Sequence, residues 1–389
     1  MEKIKRIAIV VSHPIQHFCP QYTSWAQCDG VVLKVFFGSN LGAQTYFDKD
    51  FKTEISWDSL YLGHFEHEFL NGDLTLPPDQ HLKAGNLEQK LVEFKPTLVV
   101  HYGYFQKLAR QAYHWATRNG VELAYISDAE FRQRRPLWKR LLKFPYLFWY
   151  FKRIDHFLTV GDANEAYYRY YGVPAVKFKR MHFSLDLATY QQAWEHREML
   201  RASCRQSLEI TTTDIVLSVV GKLVTWKCQD HLIDLLQTLE ISEPRLNFCL
   251  LIAGSGEEEL AWKQKAAKLT KNKVFFLGFV KPEALPAIYA ATDIYVHPAL
   301  VEPHSLSISE AIYMGCPVII SHTCGSWGPG DDVQEGKNGL VYEHGNLQDL
   351  TEKLIKVIQK STLEEMGARS HVIATAFQAR SHGKVLKEL

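Results

Sequence analysis

The chain reads DIYVHPALVEPHSLSISEAIYMGCPVI from Asp293 to Ile319. Short apolar runs typical of buried strands stand at its two ends, and a strongly helical run lies between them. The tripeptide Gly-Cys-Pro indicates a turn between the helix and the second strand. Strand, helix and strand in this order predict a βαβ unit, in which the strands are parallel and helices cover the sheet.

The same alternation continues in both directions and forms two sets. The first set holds RIAIVVS (6–12), VVLKVFF (31–37), TLVVH (97–101), ELAYIS (122–127) and HFLTVG (156–161). The second holds DIVLSVVG (214–221), NFCLLIAG (247–254), KVFFLG (273–278), DIYVH (293–297), PVIIS (317–321) and GLVY (339–342). Two sets predict two doubly wound, Rossmann-like α/β domains, 1–185 and 186–389, facing each other across a cleft. The final helix is a candidate to pack back on the first domain, and residues 38–80 are interpreted as an insertion over its strand ends.

Composition restricts the class of protein. The 389 residues carry a net charge of +1, which argues against general nucleic-acid binding. Seven cysteines without disulfide or metal spacing fit a reducing cytosol. The N-terminal apolar run is too short for a signal peptide, and no run approaches the roughly 20 apolar residues of a membrane span. A cytoplasmic protein is therefore expected.

Two carboxylates flank the start of the helix in the opening stretch. Glu302 lies in the loop before the helix, and Glu310 lies inside it. A helix N-terminus attracts anions through its free backbone N–H groups and its dipole. Carboxylates accept hydrogen bonds from sugar hydroxyls. An anion site beside two acids therefore favours a nucleotide-sugar.

The first strand of the second set leads into a loop with two lysines. Gly221 lets a ligand approach the backbone, and Lys222 and Lys227 can converge on a diphosphate. The alternative is a pair of solvated surface lysines. The ends of the next two strands add three candidates for donor binding: Gly254, Phe279 and Val280. The alternative is that these residues form ordinary turns.

Several motifs occur in a fixed order along the second half. They are GKLVTWKC (221–228), LLIAGSG (250–256), FFLGFV (275–280), the opening stretch, and Gly325 followed by NGLVY (338–342). Together they resemble the donor domain of retaining glycosyltransferases of family four, which have the two-domain GT-B architecture. The resemblance spans most of residues 214–342. It implies that Glu302 contacts the donor sugar, Glu310 binds the ribose, and Lys222 and Lys227 hold the diphosphate.

The chain departs from the pattern of that family at two points. The family usually has Phe-Gly where His304 and Ser305 stand, and often has Arg where Lys222 stands. His304 either points at the sugar or covers it, and Ser305 is a candidate helix cap. With Leu306 and Ser307 at the start of the helix, these residues complete the predicted donor-binding set.

The first domain supplies candidates for the acceptor side. The segment HPIQH (13–17) follows its first strand, and a similar segment occurs in some members of the family that this chain resembles. The similarity makes His13 a catalytic candidate and His17 a candidate acceptor contact. A metal between these two histidines is disfavoured, because nothing else in the sequence supports one. Asp128 and Glu130 follow a later strand and are further catalytic candidates, with an ordinary turn as the alternative. His101, at another strand end, is expected to face the cleft and bind the acceptor.

Two other segments have competing interpretations. Asp48-Lys49-Asp50 has the D-x-D pattern of a different glycosyltransferase fold, but no buried strand precedes it, so a solvated loop is predicted. Residues 131–153 hold eight Lys/Arg, many aromatic residues and no acid, which suits an anionic membrane surface. The alternative for 131–153 is a buried amphipathic helix with Leu141 and Leu142 in the core.

The first hypothesis is a retaining glycosyltransferase that uses a nucleotide diphosphate sugar, with UDP as the expected nucleotide. Its acceptor would be a glycan or a lipid-linked molecule. Lys222, Lys227 and the helix N-terminus would stabilise the leaving diphosphate electrostatically, so neither a metal nor another cofactor is expected. The alternatives are a nucleotide-sugar epimerase or phosphorylase on the same architecture, and a non-catalytic nucleotide-sugar-binding scaffold.

Overall fold

The computed structural model describes residues 4–43, 45–48, 52–55, 60–132 and 137–389, without the side chains of Phe47, Ile55 and Lys360. Two parallel sheets organise it, one of seven strands and one of six. Separate hydrophobic clusters pack on the opposite faces of each sheet. The prediction of two doubly wound Rossmann-like domains in the GT-B architecture is confirmed.

The N-terminal sheet is parallel throughout. In chain order the strands of this half are β1 (Lys5–Val11), β2 (Val31–Phe37), β3 (Tyr46–Asp48), β4 (Thr53–Ile55), β5 (Glu66–Phe69), β6 (Leu98–Tyr102), β7 (Glu122–Ile126), β8 (His156–Thr159) and β9 (Phe178–Arg180). Seven of them form the sheet in the order β5-β2-β1-β6-β7-β8-β9, while β3 and β4 form a separate antiparallel hairpin. Ala8 and Val10 enter the core on one face of β1 and Ile9 enters the core on the other, because successive side chains of a strand alternate.

Helices connect these parallel strands and lead into the second domain. The helices of the first half are α1 (Cys19–Ala26), α2 (Leu87–Phe94), α3 (Lys107–Asn119), α4 (Leu137–Lys152) and α5 (Asp162–Tyr170). Two further helices, α6 (Leu187–Glu195) and α7 (Arg197–Ser207), form the connection between the sheets. Arg201 and Arg205 of α7 both pair with Asp293, at 2.5 and 2.7 Å, which fixes this connection to the second domain.

The C-terminal sheet repeats the parallel design. Its strands are β10 (Ile215–Val220), β11 (Phe248–Ala253), β12 (Lys273–Gly278), β13 (Ile294–His297), β14 (Val318–Ser321) and β15 (Gly339–Tyr342), in the order β12-β11-β10-β13-β14-β15. Its helices are α8 (Asp230–Ser242), α9 (Glu259–Ala266), α10 (Leu285–Ala291), α11 (Leu306–Tyr313) and α12 (Leu347–Val357). The strand order reverses at β10, and ligands of such sheets bind at the carboxyl ends of the strands beside this switch point.

The last helix, α13 (Lys360–Ser381), returns the chain to the first domain. The side chains of Gln21 and Trp25 donate hydrogen bonds to the carbonyl of Ser381, at 3.2 and 2.8 Å. Val385 and Leu386 then lie in the hydrophobic core of the N-terminal domain. The end of the chain therefore packs with the first domain in space.

Helix α4 keeps a large part of its apolar surface outside the core. Leu141 and Leu142 are 65% and 71% exposed, so the interpretation that placed them in the core is wrong. The helix is buried along its other side through Leu147, Tyr150 and Phe151. Residues 133–136 of this segment lie outside the described residues. Among the described helices, none combines the length and the apolar character needed to span a membrane.

Candidate active site

A cavity of about 490 Å³ lies between the domains, at the carboxyl ends of the strands around β10. Gln16 and His17, which follow β1, line it from the N-terminal domain. All the residues predicted for donor binding line the same cavity: Gly221, Lys222, Lys227, Gly254, Phe279, Val280, Glu302, His304, Ser305, Leu306, Ser307 and Glu310. A second cavity of about 280 Å³ shares Gln16, His17 and Glu310 with the first, so it extends the cleft.

Backbone crowding at the end of β11 explains the glycine there. Gly254 has a φ of +147°, and a Cβ on it would stand 1.9 Å from the carbonyl oxygen of Gly221. The N–H of Gly254 donates to the Gly278 carbonyl at 2.7 Å. Only a residue without a side chain permits this approach of three strand ends, and the approach fixes the loop that carries Lys222.

Lys222 is held from the first domain. Its Nζ lies 3.3 Å from Oδ1 of Asp48, the last residue of β3. The Asp48 side chain is 17% exposed, so the prediction of a solvated loop is wrong for this residue. The hairpin of β3 and β4 brings the carboxylate to the lysine. Lys49 and Asp50 lie outside the described residues.

Lys227 and Glu302 form an ion pair within the cavity. His297 Nε2 lies 3.4 Å from the same carboxylate oxygen. Burial raises the pKa of Glu302, but the His297 ring and the Lys227 ammonium outweigh it and bring that pKa to about 2. Glu302 is therefore an anion at neutral pH, and a diphosphate entering the cavity would compete with it for Lys227.

The N-terminus of α11 opens on the cavity through Leu306 and Ser307. Ser305 occupies the N-cap position but makes no side-chain cap hydrogen bond, so its predicted capping role is wrong. Its Oγ instead lies 2.9 Å from Ser307 Oγ, which in turn lies 2.7 Å from Tyr295 Oη. Because this chain of hydroxyls draws Ser305 away, the first-turn amides of α11 can serve an anion.

Glu310, inside α11, lies where the two cavities join. Tyr289 Oη donates a hydrogen bond to its Oε2 at 2.7 Å. Burial raises the pKa of Glu310 to about 7, although the hydroxyls of Tyr289 and Tyr190 act in the opposite direction. This carboxyl is therefore poised between its two protonation states at neutral pH. A ligand that donates hydroxyl groups to it would favour the ionised form.

His304, one of the departures from the family pattern, is held in place by Asp332. Its Nε2 lies 3.2 Å from Asp332 Oδ2, and Ser309 Oγ donates to the same oxygen at 2.7 Å. Burial lowers the pKa of His304, but Asp332 outweighs it and the net pKa is raised. The edge of the Phe183 ring packs on the imidazole at 4.9 Å between centroids. Asp332 thus favours the protonated form of the His304 ring beside the cavity.

The two histidines of the HPIQH segment differ in position. His17 lines both cavities, and burial, followed by the neighbouring His304 and His13, lowers its pKa to about 4. His13 lines neither of these cavities, and its Nδ1 lies 2.9 Å from Ser12 Oγ. Burial also lowers the pKa of His13 to about 4. Within the described residues, no third ligand accompanies the pair to hold a metal.

Asp128 and Glu130 lie outside both cleft cavities, contrary to their predicted catalytic placement. Glu130 is buried, and it accepts a hydrogen bond from the backbone N–H of Arg132 in its own loop. The Arg132 guanidinium donates to the carbonyls of Cys324 and Trp327, at 2.7 and 2.6 Å. Glu130 therefore supports a contact between the domains. Asp128 is exposed and acts on the site through its charge, which contributes to the raised pKa of His304.

His101 does not face the cleft, so its predicted contact with the acceptor is wrong. Its side chain is fully buried, and its Nδ1 lies 3.1 Å from the carbonyl oxygen of Gly103. The ring packs edge-on among three tyrosines, Tyr113, Tyr125 and Tyr150. The alternation of β6 turns this side chain toward the aromatic core under the helices.

Sequence reasoning missed three residues that shape the site: Asp48, His297 and Asp332. His297 ends β13, and a polar residue at the carboxyl end of a buried strand was a usable signal. Asp332 follows Asp331 in a Gly-Asp-Asp run, which resembles an ordinary turn in sequence. The contact of Asp48 had no local signal, because it depends on how the hairpin crosses to the other domain.

The C-terminal half of the chain is similar to a known protein family. Residues 201–371 match the family model of glycosyl transferases group 1. Spore coat protein SA of Bacillus subtilis is 30% identical over 200 residues, which cover 49% of this chain and 51% of that protein. A D-inositol 3-phosphate glycosyltransferase of Rhodococcus erythropolis is 26% identical over 216 residues, covering 54% and 47%. The chain thus matches about half the length of these curated relatives.

A solved structure extends the similarity to the whole chain. The Anabaena protein HepE, crystallised with UDP and glucose, superimposes with a TM-score of 0.66 over 99% of this chain and 100% of its own, at 18% identity. At that identity the similarity establishes the fold. The chain thus has a GT-B fold, and its residues 201–371 are similar to the glycosyl transferases group 1 family.

Proposed function

We propose that the chain is a retaining glycosyltransferase that moves a sugar from a UDP-sugar to a glycan or lipid-linked acceptor without a divalent metal ion. The observation that carries the proposal is the cavity that gathers Lys222, Lys227, Glu302, Glu310 and the uncapped start of α11. Cations and amides suit a diphosphate, and the two acids suit sugar hydroxyls. The nucleotide bound to HepE supports UDP as the donor nucleotide.

The chemistry follows from where negative charge develops. The bond between the anomeric carbon and the donor phosphate oxygen breaks, and the acceptor oxygen bonds to that carbon on the same face. The acceptor proton passes to a phosphate oxygen of the leaving diphosphate. Lys222, Lys227 and the α11 amides stabilise this leaving group in a preorganised way, in place of a metal ion. Glu302 orients the sugar, and the neutral His17 ring can hydrogen-bond the acceptor.

The affinity for UDP-glucose is expected to rise about tenfold between pH 6 and pH 8. Glu310 has a pKa of about 7 without ligand, and the ribose hydroxyls require its ionised form. A sugar-linked diphosphate does not titrate in this range. The change in affinity therefore reflects titration of the protein and not of the ligand. Calorimetry against a panel of nucleotide-sugars at both pH values measures it.

Glu310→Gln is expected to remove this pH dependence, whereas the control Glu352→Gln, at an exposed site on α12, is expected to retain it. Catalysis is then tested by NMR. The transferred sugar is expected to keep the anomeric configuration that it had in the donor. Failure of every nucleotide-sugar to bind would overturn the proposal. Formation of a free epimer without an acceptor would favour the epimerase alternative, and donor binding without transfer or hydrolysis would favour the scaffold.

The proposed acceptor context includes an anionic membrane surface that contacts α4. Trp138, Leu142 and Trp149 are 58%, 71% and 63% exposed and recur at helical spacing on one side. Basic residues flank them, and the segment 131–153 contains no acid. Apolar insertion combined with positive charge is the pattern of helices that bind lipid interfaces.

The double variant Trp138→Ser, Leu142→Ser is expected to bind anionic vesicles at least about tenfold more weakly, since each inserted side chain contributes about 1.5–3 kcal/mol. Vesicle sedimentation with anionic and with neutral lipid measures this. The double variant Ile241→Ser, Val372→Ser removes two apolar residues elsewhere that are 83% and 68% exposed, and it serves as the control. Equal binding of wild-type protein to neutral and anionic vesicles would contradict the role of charge, and undiminished binding of the α4 variant would contradict the role of α4.

A further inference from the structure

A cluster of three ligating side chains lies beside the loop that carries Lys222 and Lys227. The cluster consists of Cys228, His231 and His344, whose ligand atoms all lie within 4.8 Å of one another. None of the residues that line the donor cavity belongs to it. It is therefore separate from the proposed site of transfer.

Three different elements bring these side chains together. Cys228 directly follows Lys227 and has a φ of +53°, which turns the chain from the lysine loop into α8. His231 lies in the first turn of α8, and His344 lies in the loop between β15 and α12. The two imidazole rings are 5.3 Å apart between centroids. No metal-ligand spacing is visible in the sequence around Cys228, because the third ligand, His344, lies far along the chain.

The surroundings of the cluster also point to a ligand. Nε2 of His344 is buried and has no hydrogen-bond partner among the described residues, and the same holds for Oη of Tyr342. Buried polar atoms are nearly always partnered in folded proteins, so such atoms call for an explanation. A cavity of about 260 Å³ borders His231 and Tyr342 and leaves room for a water molecule.

We propose that Cys228, His231 and His344 bind a transition-metal ion of the zinc type. One thiolate and two imidazoles are a donor set that Zn²⁺ prefers, at about 2.3 Å for sulfur and about 2.0 Å for nitrogen. The three ligand atoms lie within 4.8 Å of one another, and they would draw closer around a bound ion. Water from the adjacent cavity completes a tetrahedral site, and the thiol proton is released to solvent on binding. The ion ties the lysine loop to α8 and to the loop after β15, and it takes no part in sugar transfer.

The experiment is a titration of the metal-stripped full-length chain with Zn²⁺ against a chromophoric chelator, followed by Co²⁺ absorption spectroscopy. One high-affinity ion per chain is expected, together with a thiolate-to-cobalt charge-transfer band. Cys228→Ser should abolish the band and weaken Zn²⁺ binding by at least about a hundredfold, the upper end of what losing a supporting contact costs. Cys204→Ser and His81→Gln, which alter another free cysteine and an exposed histidine, should retain both.

Thermal unfolding with and without Zn²⁺ supplies a second readout, because bound metal raises the midpoint only if it binds the native state. His344→Gln, at a half-buried position, provides a variant that does not change the Cys228 turn. It should lose the Zn²⁺-dependent rise while its metal-free midpoint stays near that of the wild type. Full retention of the cobalt band and the midpoint rise in both Cys228→Ser and His344→Gln would overturn the site, as would the absence of stoichiometric binding in the wild type. None of these readouts uses a nucleotide-sugar, so they stand apart from the test of the transferase.

Discussion

Replacing Lys227 by methionine is expected to weaken the binding of UDP-glucose by about tenfold to a hundredfold. A hydrogen bond from an ammonium to a phosphate contributes about 1.5–3 kcal/mol, and 1.4 kcal/mol is a factor of ten in affinity. Methionine keeps most of the apolar stem, so the substitution mainly removes the charge. Calorimetry at constant ionic strength measures the change, and Lys268→Met, an exposed lysine on another surface, is the control.

The same substitution is expected to lower the free energy of unfolding by about 3 kcal/mol. The side chains of Lys227 and Glu302 are only 19% and 12% exposed, so the variant leaves a largely buried carboxylate without its ammonium. Breaking such pairs costs about 3–5 kcal/mol, and His297, at 3.4 Å from Glu302, retains part of the compensation. Urea denaturation of both proteins measures this loss.

The double variant Lys227→Met, Glu302→Gln separates stability from binding. Neutralising the carboxylate removes the uncompensated charge, so most of the lost stability is expected to return. The affinity for UDP-glucose is expected to stay low, because the diphosphate still lacks its ammonium partner and the donor sugar also lacks the Glu302 carboxylate. A folded Lys227→Met protein that binds UDP-glucose as tightly as the wild type would show that Lys227 is not a diphosphate ligand.

The donor cavity was largely predictable because its residues stand at the ends of strands. Apolar runs identify parallel strands, and the carboxyl ends of such strands share one edge of a sheet. Gly221, Gly254 and Phe279 therefore had to lie near one another once β10, β11 and β12 were recognised. The loop after β13 added Glu302 to the same edge, and the helix α11 that follows it added Glu310.

The remaining features depended on the direction of a side chain or on contacts between distant segments. A strand end does not specify a face, which is why His101 was expected in the cleft and lies in the aromatic core. Glu130 turns back onto its own loop, and no sequence pattern records that turn. Apolar residues at helical spacing do not reveal which side meets the core, so Leu141 and Leu142 of α4 were compatible with either role. Asp48 reaches Lys222 only through the packing of a hairpin from the other domain.

An Arg180→Met variant is expected to lose about 3–5 kcal/mol of unfolding free energy, the cost of removing one partner from a buried network of charges. The Arg180 guanidinium, 17% exposed, lies 2.6 Å from Asp162 and 2.8 Å from Glu165. It also donates to the carbonyl of Gly330 in the C-terminal domain at 2.8 Å. Methionine leaves two acids without this cation and removes a contact between the domains.

Two measurements show whether the stability lost in Arg180→Met comes from charge pairing: the pH dependence of the unfolding free energy, and a control variant at Arg169. Burial raises the pKa of Asp162, but the hydrogen bond from Arg180 outweighs it and holds that pKa below its usual value. The stabilisation is therefore complete above the ordinary pKa of an aspartate and disappears as the pH falls through the lowered one, so the difference between wild type and Arg180→Met should shrink in acid. Arg169 also contacts Glu165, at 2.8 Å, but its side chain is 52% exposed, so Arg169→Met should cost no more than about 1 kcal/mol. Equal losses in the two variants, or a difference that persists in acid, would mean that Arg180 stabilises the protein by packing and not by pairing with the buried acids.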